Sequence, residues 1–390
     1  KALKWASSDE DVATVAPDGT VTAVKVGTAT ITATATDGSG KSAVCTVTVT
    51  GDTTPSQPGG STGGSSGGSS SGGGGGSSST TPTKPETATK PDGTKVETVT
   101  KPDGTKVETT TGKDGSVSKT ETKTETKPDG TKVETKNETV TNKDGSKVET
   151  RSEVKTGKNG VTSGTETTKT TTADGSTGTT VTTTENGESK TVAETTLSGK
   201  AIEEAKKNDE AVKAPVEVEA TRDSNTAPIV KVELPRNSGE TKVEIPVSNV
   251  KPGTVAVLVH PDGTEEIMKD SVPTENGIQL TVNDGATVKI VDNSKGFIDI
   301  RDHWAEDAID FVSARGLVNG MSATIYAPNN STTRAQLWTI LARQNDANLT
   351  GGNTWYESAQ NWAKAKGVSD GANPNAAINR AQMVTMLWRA

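Results

Sequence analysis

Two arginines occupy equivalent places in two copies of one tetrad. Residues 333–336 (TRAQ) and 379–382 (NRAQ) each precede an apolar stripe of helical period. A cation in the first turn of a helix is mildly unfavourable against the helix dipole, so capping and packing leave Arg334 and Arg380 unexplained. A guanidinium beside the free N–H groups of a helix start is a good receptor for a carboxylate. The tetrads therefore predict two anion-binding arginines; the alternative is a surface arginine paired with a neighbouring acid.

Two tryptophans repeat in the same way upstream of the tetrads. Trp304 and Trp355 each stand at the start of a predicted helix. An indole can stack on the face of a sugar ring, which would add a carbohydrate-binding surface to the arginines. Burial of the indole between helices explains the same pattern equally well, and the sequence leaves both interpretations open.

Residues for other chemistry are scarce. The two histidines, His260 in a hairpin turn and His303 at a helix start, are interpreted as structural. The sequence has no nucleophile elbow, phosphate loop or metal-ligand cluster, and its Asp-Gly turns lack the spacing of a calcium loop. The single cysteine, Cys45, excludes an internal disulfide framework. We therefore expect no enzyme, no cofactor and no metal site.

Composition limits the partners. The net charge of −8 argues against a nucleic acid or an anionic membrane, and no run approaches the roughly 20 apolar residues of a membrane span. Of the ten aromatic residues, only Trp5 lies outside residues 296–390. The densest core is therefore expected at the C-terminal end.

The tetrads and tryptophans belong to two helix–loop–helix repeats, residues 294–347 and 348–390. In the first repeat, Thr333 and Gln336 predict a capping box, in which the hydroxyl caps the backbone and the amide reaches back. Asn379 and Gln382 predict the same box in the second. The apolar residues that follow each tetrad have core spacing; they are Leu337, Ile340 and Leu341, then Met383, Met386 and Leu387.

The order of these features resembles the S-layer homology family, whose hallmark is a Thr-Arg-Ala-Glu tetrad at the start of the second helix of each repeat. The resemblance covers the last quarter of the chain. Glutamine replaces the glutamate in both tetrads, and Asn379 replaces the threonine in the second. The family usually has three repeats, so a third repeat is expected beyond this chain.

This resemblance implies non-covalent attachment to a secondary cell-wall polysaccharide, typically one that bears pyruvate ketals. It also implies an extracellular location in a bacterial cell wall or surface layer, and allows self-association in a surface lattice. The binding residues would be Arg334, Arg380, Thr333, Trp304, Trp355, Gly320 and Gly371.

Four further zones precede the repeats. Residues 1–50 contain short β-rich runs with Asp-Gly turns, and resemble part of a bacterial immunoglobulin-like domain of the second group. Residues 51–85 are a Gly/Ser-rich linker. Residues 86–197 repeat Asp-Gly or Asn-Gly at intervals of 11 to 15 residues, with Thr, Val, Lys and Glu between them. They predict an extended β-hairpin stalk held by cross-strand Lys–Glu and Thr–Thr pairs; the alternative is a disordered repeat. Residues 198–293 predict a short helix and a second small β-sandwich.

The sequence therefore predicts a multidomain, non-catalytic surface protein: a partial Ig-like β-sandwich, a linker, a stalk, a second β-sandwich and all-α repeats that anchor it to the wall. The alternative is the anchoring fragment of a larger surface enzyme or adhesin whose active module lies upstream.

Overall fold

The computed structural model describes residues 3–7, 10, 13–16, 19–23, 27–36, 42–49, 85–90 and 93–390, in two compact units, 1–77 and 78–390. The predicted linker lies outside the described residues, except for residue 85. So does the side chain of Cys45.

The described residues of the first unit form five strands. Strands β1, β4 and β5 form an antiparallel sheet in that order, and β2 pairs with β3 as a hairpin. Alternating small and β-branched residues favour these strands, and Ala13 and Ile31 are buried. The strands are β1 Leu3–Ser7, β2 Ala13–Val15, β3 Val21–Ala23, β4 Gly27–Ala35 and β5 Ser42–Val49.

The second unit begins with nine antiparallel strands. This arrangement agrees with the predicted hairpin stalk and not with the alternative of a disordered repeat. The glycine of every predicted turn, from Gly93 to Gly187, has a φ between +77° and +91°, which only glycine adopts without strain. Around Gly130, for example, the Asp129 carboxylate accepts from the Thr131 N–H at 2.8 Å. The strands are β6 Glu86–Thr89, β7 Lys95–Thr100, β8 Lys106–Thr111, β9 Val117–Thr126, β10 Lys132–Thr141, β11 Lys147–Thr156, β12 Thr162–Thr171, β13 Thr177–Glu185 and β14 Glu188–Thr196.

Side-chain pairs hold the stalk as predicted in one respect and differently in another. Cross-strand threonines contact each other, as in Thr182–Thr191 at 3.0 Å. Lysines and glutamates pair mainly along one strand, as in Lys136–Glu138 at 2.9 Å, rather than across strands. Residues i and i+2 of a strand lie on the same face, and long side chains lean along the strand, so this pairing is close at hand.

The stalk sheet continues into the next β region. Strand β14 pairs in parallel with β16, and a single 13-stranded sheet runs β19-β18-β22-β16-β14 and on to β6. A second sheet, β15-β17-β21-β20, covers one face of its end, and aliphatic side chains of both sheets form one buried core. The elements are α1 Gly199–Asn208, β15 Val212–Lys213, β16 Ile229–Glu233, β17 Thr241–Pro246, β18 Thr254–Val259, β19 Glu265–Ile267, β20 Val272–Pro273, β21 Gly277–Val282 and β22 Ala286–Asp292.

Residues 216–219, whose alternating valines favour a strand, do not form one in the structure. Only an isolated bridge joins Val218 to Val247. The preceding Pro215 has no N–H for a ladder, and its carbonyl lies against Gly178, where an added Cβ would come within 2.1 Å of the oxygen.

Four helices complete the unit: α2 Glu306–Ala314, α3 Arg334–Gln344, α4 Glu357–Ala365 and α5 Arg380–Arg389. Residues of α3 and α4 pack in one cluster, which includes Trp338, Leu341 and Ala359. None of the described helices is long and apolar enough to cross a membrane.

A buried arginine joins the β region to the first helical repeat. Arg315, which follows α2, is 1% exposed. Its guanidinium donates to the carbonyls of Ser271 at 2.8 Å and Thr254 at 3.0 Å, and stacks on Phe311. Burial lowers the pKa of Arg315 to about 10. Arg315 therefore fixes the end of α2 against the β region.

Candidate functional site

Both predicted capping boxes are confirmed. The Thr333 hydroxyl accepts from the Gln336 N–H at 3.2 Å, and the Gln336 side chain accepts from the Thr333 N–H at 2.8 Å. Asn379 and Gln382 do the same, at 2.9 and 3.2 Å. Each box fixes the start of its helix, and so the place of the arginine that follows.

The two arginines nevertheless lie in different environments. Arg334 is 8% exposed. Its Nε donates to the Ala372 carbonyl at 2.7 Å, and its Nη2 donates to the Ser369 hydroxyl at 3.1 Å and to the Asp370 carboxylate. These partners belong to the loop after α4, so Arg334 ties the first repeat to the second. The expectation that packing does not explain Arg334 is therefore wrong. Its contacts with a loop 35 to 38 residues further along the chain account for its place.

The backbone at the start of α3 is also paired. The N–H of Arg334 donates to the Ala376 carbonyl at 3.0 Å, and that of Ala335 donates to the Pro374 carbonyl at 2.9 Å. The backbone amides that were predicted to bind a carboxylate therefore already donate to carbonyls of the protein at this helix.

Arg380, at the equivalent place in α5, is exposed. Within residues 93–390, neither its guanidinium nor the N–H groups of Arg380 and Ala381 have a hydrogen-bond partner. Of the two arginines, only Arg380 combines a free cation with free helix-start amides, which is the arrangement that favours an anion.

The carboxylate that faces Arg334 has a pKa below its usual value. The pKa of Asp370 is lowered first by the Ala372 N–H, which it accepts at 3.0 Å, and then by the charge of Arg334. Asp370 is ionised at neutral pH and neutralises Arg334.

The indoles of Trp304 and Trp355 point to solvent. Trp304 is 92% exposed and Trp355 is 64% exposed, so neither is buried between helices. Trp304 lies beside the His303 ring, and Trp355 meets Tyr356 edge-on, with centroids 5.5 and 5.3 Å apart. Two rigid apolar faces are therefore free to stack on a ligand.

Two further tryptophans were not singled out from the sequence. Trp338 in α3 is fully buried, and its indole N–H has no partner among the described residues. Trp388 in α5 is 86% exposed. The helical spacing of Trp338 and Trp388 indicates which face of the helix each lies on. It does not indicate whether another element packs on that face. Met383 and Leu387, both predicted to lie in the core, are 38% and 51% exposed.

The two glycines of the predicted site have packing roles. At Gly320, an added Cβ would come within 2.4 Å of the Phe297 ring. Gly371 has a φ of +70°, and its carbonyl accepts from the Gln360 amide at 2.7 Å. Gly320 leaves room for the Phe297 ring, and Gly371 adopts a positive φ that glycine tolerates best.

Asp299 is a supporting residue that the sequence analysis did not identify. Its carboxylate accepts from the N–H groups of Tyr326 at 2.9 Å and Ala327 at 2.7 Å. These bonds, with that of Tyr326 first, lower the pKa of Asp299. The residue fixes the loop that leads to the Thr333 tetrad. Over the part of the chain that the structure describes, no group of three His, Cys, Asp or Glu side chains could hold a metal ion.

Comparison with known proteins bears directly on this helical region. One family model, the S-layer homology domain, matches residues 296–337, and another, the bacterial Ig-like domain (group 2), matches residues 1–50. The chain carries an S-layer homology domain. Such a domain implies anchoring to the cell wall at the cell surface. The second match indicates an Ig-like fold for the first unit.

Three curated enzymes share part of the sequence. The chain is 34% identical over 109 residues to an amylopullulanase of Thermoanaerobacterium thermosulfurigenes, which is 25% of this chain and 6% of the relative. It is 31% identical over 114 residues to exoglucanase XynX of Acetivibrio thermocellus, 26% and 10% of the two chains. It is 34% identical over 100 residues to endo-1,4-beta-xylanase A of Thermoanaerobacterium saccharolyticum, 22% and 9%. The chain thus spans a tenth or less of these relatives, and no solved structure matches it.

Proposed function

We propose that the helical repeats hold this chain to a bacterial cell wall by binding an acidic secondary wall polysaccharide, with a pyruvate ketal as the acidic group. The observation that carries the proposal is the exposure of Trp304 and Trp355 at equivalent places in the two repeats. Packing within the protein does not explain an exposed indole on a polar surface, and such an indole can stack on the apolar face of a sugar.

The remaining residues divide into binding and positioning roles. Arg380 supplies the cation for a ketal carboxylate, together with the free amides of α5. Thr333 and Arg334 act as positioning residues, because they fix the start of α3 and tie it to the loop of the second repeat. Gly320 and Gly371 shape the loops beside the tryptophans' helices. A non-catalytic anchor needs no more chemistry than this.

A second candidate is that the chain is the anchoring part of a larger surface enzyme. The relatives are named as a pullulanase, an exoglucanase and a xylanase, and only the anchoring region matches them. The catalytic module would then belong to another part of the polypeptide, and the wall-binding role of the repeats would be the same.

Binding of the full chain to purified wall polysaccharide tests the first proposal. Chemical removal of pyruvate should weaken binding. Arg380→Ala should weaken it about 10- to 150-fold, the equivalent of one charge-assisted hydrogen bond of about 1.5–3 kcal/mol. Trp304→Ala and Trp355→Ala should each weaken it as well.

Arg389→Ala is the matched control, because Arg389 is an exposed arginine in the last turn of the same helix. It should bind like the unchanged chain. Equal binding before and after pyruvate removal would reject the ketal as the acidic group, and equal loss with Arg389→Ala would reject Arg380 as a specific contact. If none of the three test variants, Arg380→Ala, Trp304→Ala and Trp355→Ala, changes binding, these residues are not the wall-binding site.

A further inference from the structure

One carboxylate at the contact between α2 and the β region lacks a hydrogen-bond partner. Asp310 lies in α2, and its Oδ1 atom is buried, yet no group within residues 93–390 donates a hydrogen bond to that atom. An ionised carboxylate can only accept hydrogen bonds, so burial without a donor removes its hydration and gives nothing in return. This position therefore disfavours a negative charge.

The neighbouring carboxylate of the β region has the partners that Asp310 lacks. Asp292 accepts from the Ser294 hydroxyl at 2.6 Å and from the Lys251 ammonium at 3.0 Å. The Nε atom of Arg222 lies 3.8 Å from the same carboxylate. Within residues 93–390, no lysine or arginine forms an ion pair with Asp310. The cations at this contact therefore neutralise Asp292 and leave Asp310 without one.

The charges that face Asp310 are mostly negative. Glu306 and Asp307 lie one turn before it on α2, and Asp292 faces it from the β region. Arg222 acts in the opposite direction, but its side chain is 66% exposed, so water screens its charge. Burial first, and then the three carboxylates, raise the pKa of Asp310 above its usual value of 3.8.

The second repeat has a neutral residue at the equivalent place. Helices α2 and α4 begin 51 residues apart, at Glu306 and Glu357, so Asn361 corresponds to Asp310. Asn361 is exposed, whereas Asp310 is partly buried. The titratable side chain thus stands on the helix that contacts the β region, and the uncharged one of the same shape stands on α4.

We propose that the contact between α2 and the β region is a pH-sensitive joint, which tightens when Asp310 takes up a proton. The protonated carboxyl has no charge to hydrate, is not repelled by the three carboxylates, and gains an O–H that can donate. Arg315 fixes the end of the same helix independently of this proton. The first repeat is therefore held more firmly on the β region in acid.

The sign of this effect is opposite to that of Asp299. A raised pKa means that the folded state binds the proton more tightly than the unfolded state does. The contribution of Asp310 is therefore complete below pH 3.8 and is lost as the pH rises through the raised pKa. Asp299, whose pKa is lowered, stabilises the fold only in its ionised form.

Thermal melting of the full chain between pH 8 and pH 3.5 tests the role of Asp310. Asp310→Asn removes the charge and keeps the shape, so at pH 8 it should melt about 2–12 °C above the unchanged chain. The difference should shrink toward zero as the pH falls, because the unchanged chain then gains the proton. Asp307→Asn is the control. Asp307 is an exposed carboxylate in the first turn of the same helix, where the dipole favours a negative charge, so its removal should not raise the melting temperature.

Amide hydrogen exchange of the unchanged chain follows the joint without any substitution. The protection factor of α2, taken relative to a free peptide at the same pH, should increase as the pH falls from 8 to 5, and that of α4 should not. Constant or falling protection of α2 would overturn the proposal. So would an Asp310→Asn chain that melts with or below the unchanged chain at pH 8, or an equal rise for Asp307→Asn. None of these measurements involves the polysaccharide.

Discussion

Replacing Arg334 by alanine should destabilise the joint between the repeats, although the same replacement at Arg380 should not. The guanidinium of Arg334 donates to the Ala372 carbonyl at 2.7 Å, and its other bonds reach Ser369 and Asp370. Arg380 makes none within residues 93–390, so it is an internal control with the same residue type at the same helical position.

The magnitude follows from these contacts. A buried hydrogen bond from a charged donor contributes about 1.5–3 kcal/mol. The bond to Asp370 adds little, because that carboxylate side chain is 68% exposed and solvent screens the pair. Removing a cation from the first turn returns about 0.3–1 kcal/mol through the helix dipole. The net loss for Arg334→Ala is therefore about 0.5–3 kcal/mol, whereas Arg380→Ala loses no bond and should gain about 0.3–1 kcal/mol.

Thermal melting of the full chain measures the difference. At roughly 2–4 °C per kcal/mol, the transition that includes the repeats should fall by about 1–12 °C in Arg334→Ala and should rise by about 4 °C or less in Arg380→Ala. Amide hydrogen exchange should accelerate in the loop at 367–372 of Arg334→Ala alone. If the two variants melt together and that loop stays protected, the bonds of Arg334 do not stabilise the joint and the reasoning is wrong.

Three further outcomes follow from other contacts. Arg315→Ala should lower the melting temperature by about 4–24 °C, because two buried carbonyls lose their donor at about 1–3 kcal/mol each, whereas the exposed control Arg301→Ala should not. Because the pKa of Asp299 is lowered, the ionised carboxylate stabilises the fold above the usual pKa of 3.8, and this stabilisation is lost as the pH falls below that value. In an acid titration, Asp299→Asn should therefore lose less folding stability than the unchanged chain. Gly178→Ala should loosen the contact with Pro215, where the new Cβ would clash, and increase proteolysis there, while Gly199→Ala, in open space, should not.

Local signals in the sequence predicted much of the fold. Each stalk turn depends on an Asp-Gly or Asn-Gly pair and on residues within five positions of it, so Gly130 and its equivalents could be placed without any tertiary information. The capping boxes at Thr333 and Asn379 are local in the same way. Their geometry follows from four consecutive residues.

Long-range contacts could not be predicted in this way. The parallel pairing of β14 with β16 joins residues 37 apart, as in Val192 with Ile229, and no sequence pattern selects that partner. Arg334 was assigned to a ligand because its own partners come from a distant loop. The exposure of Trp304 depends likewise on which elements lie nearby, which periodicity does not specify.

The single sheet that joins the stalk to the β region has a mechanical consequence. The strands lie side by side in a row, each perpendicular to the row and roughly 4.8 Å from the next. A pull on β6 along that row acts on the hydrogen bonds of one strand pair at a time, as in a zipper, rather than on all of them in shear. Each ten-residue strand, such as β10, would then release roughly 33–36 Å of chain at low force. Under a tethered load, successive hairpins would therefore unfold before the force acted on the β14–β16 pair and on the helical repeats that follow it.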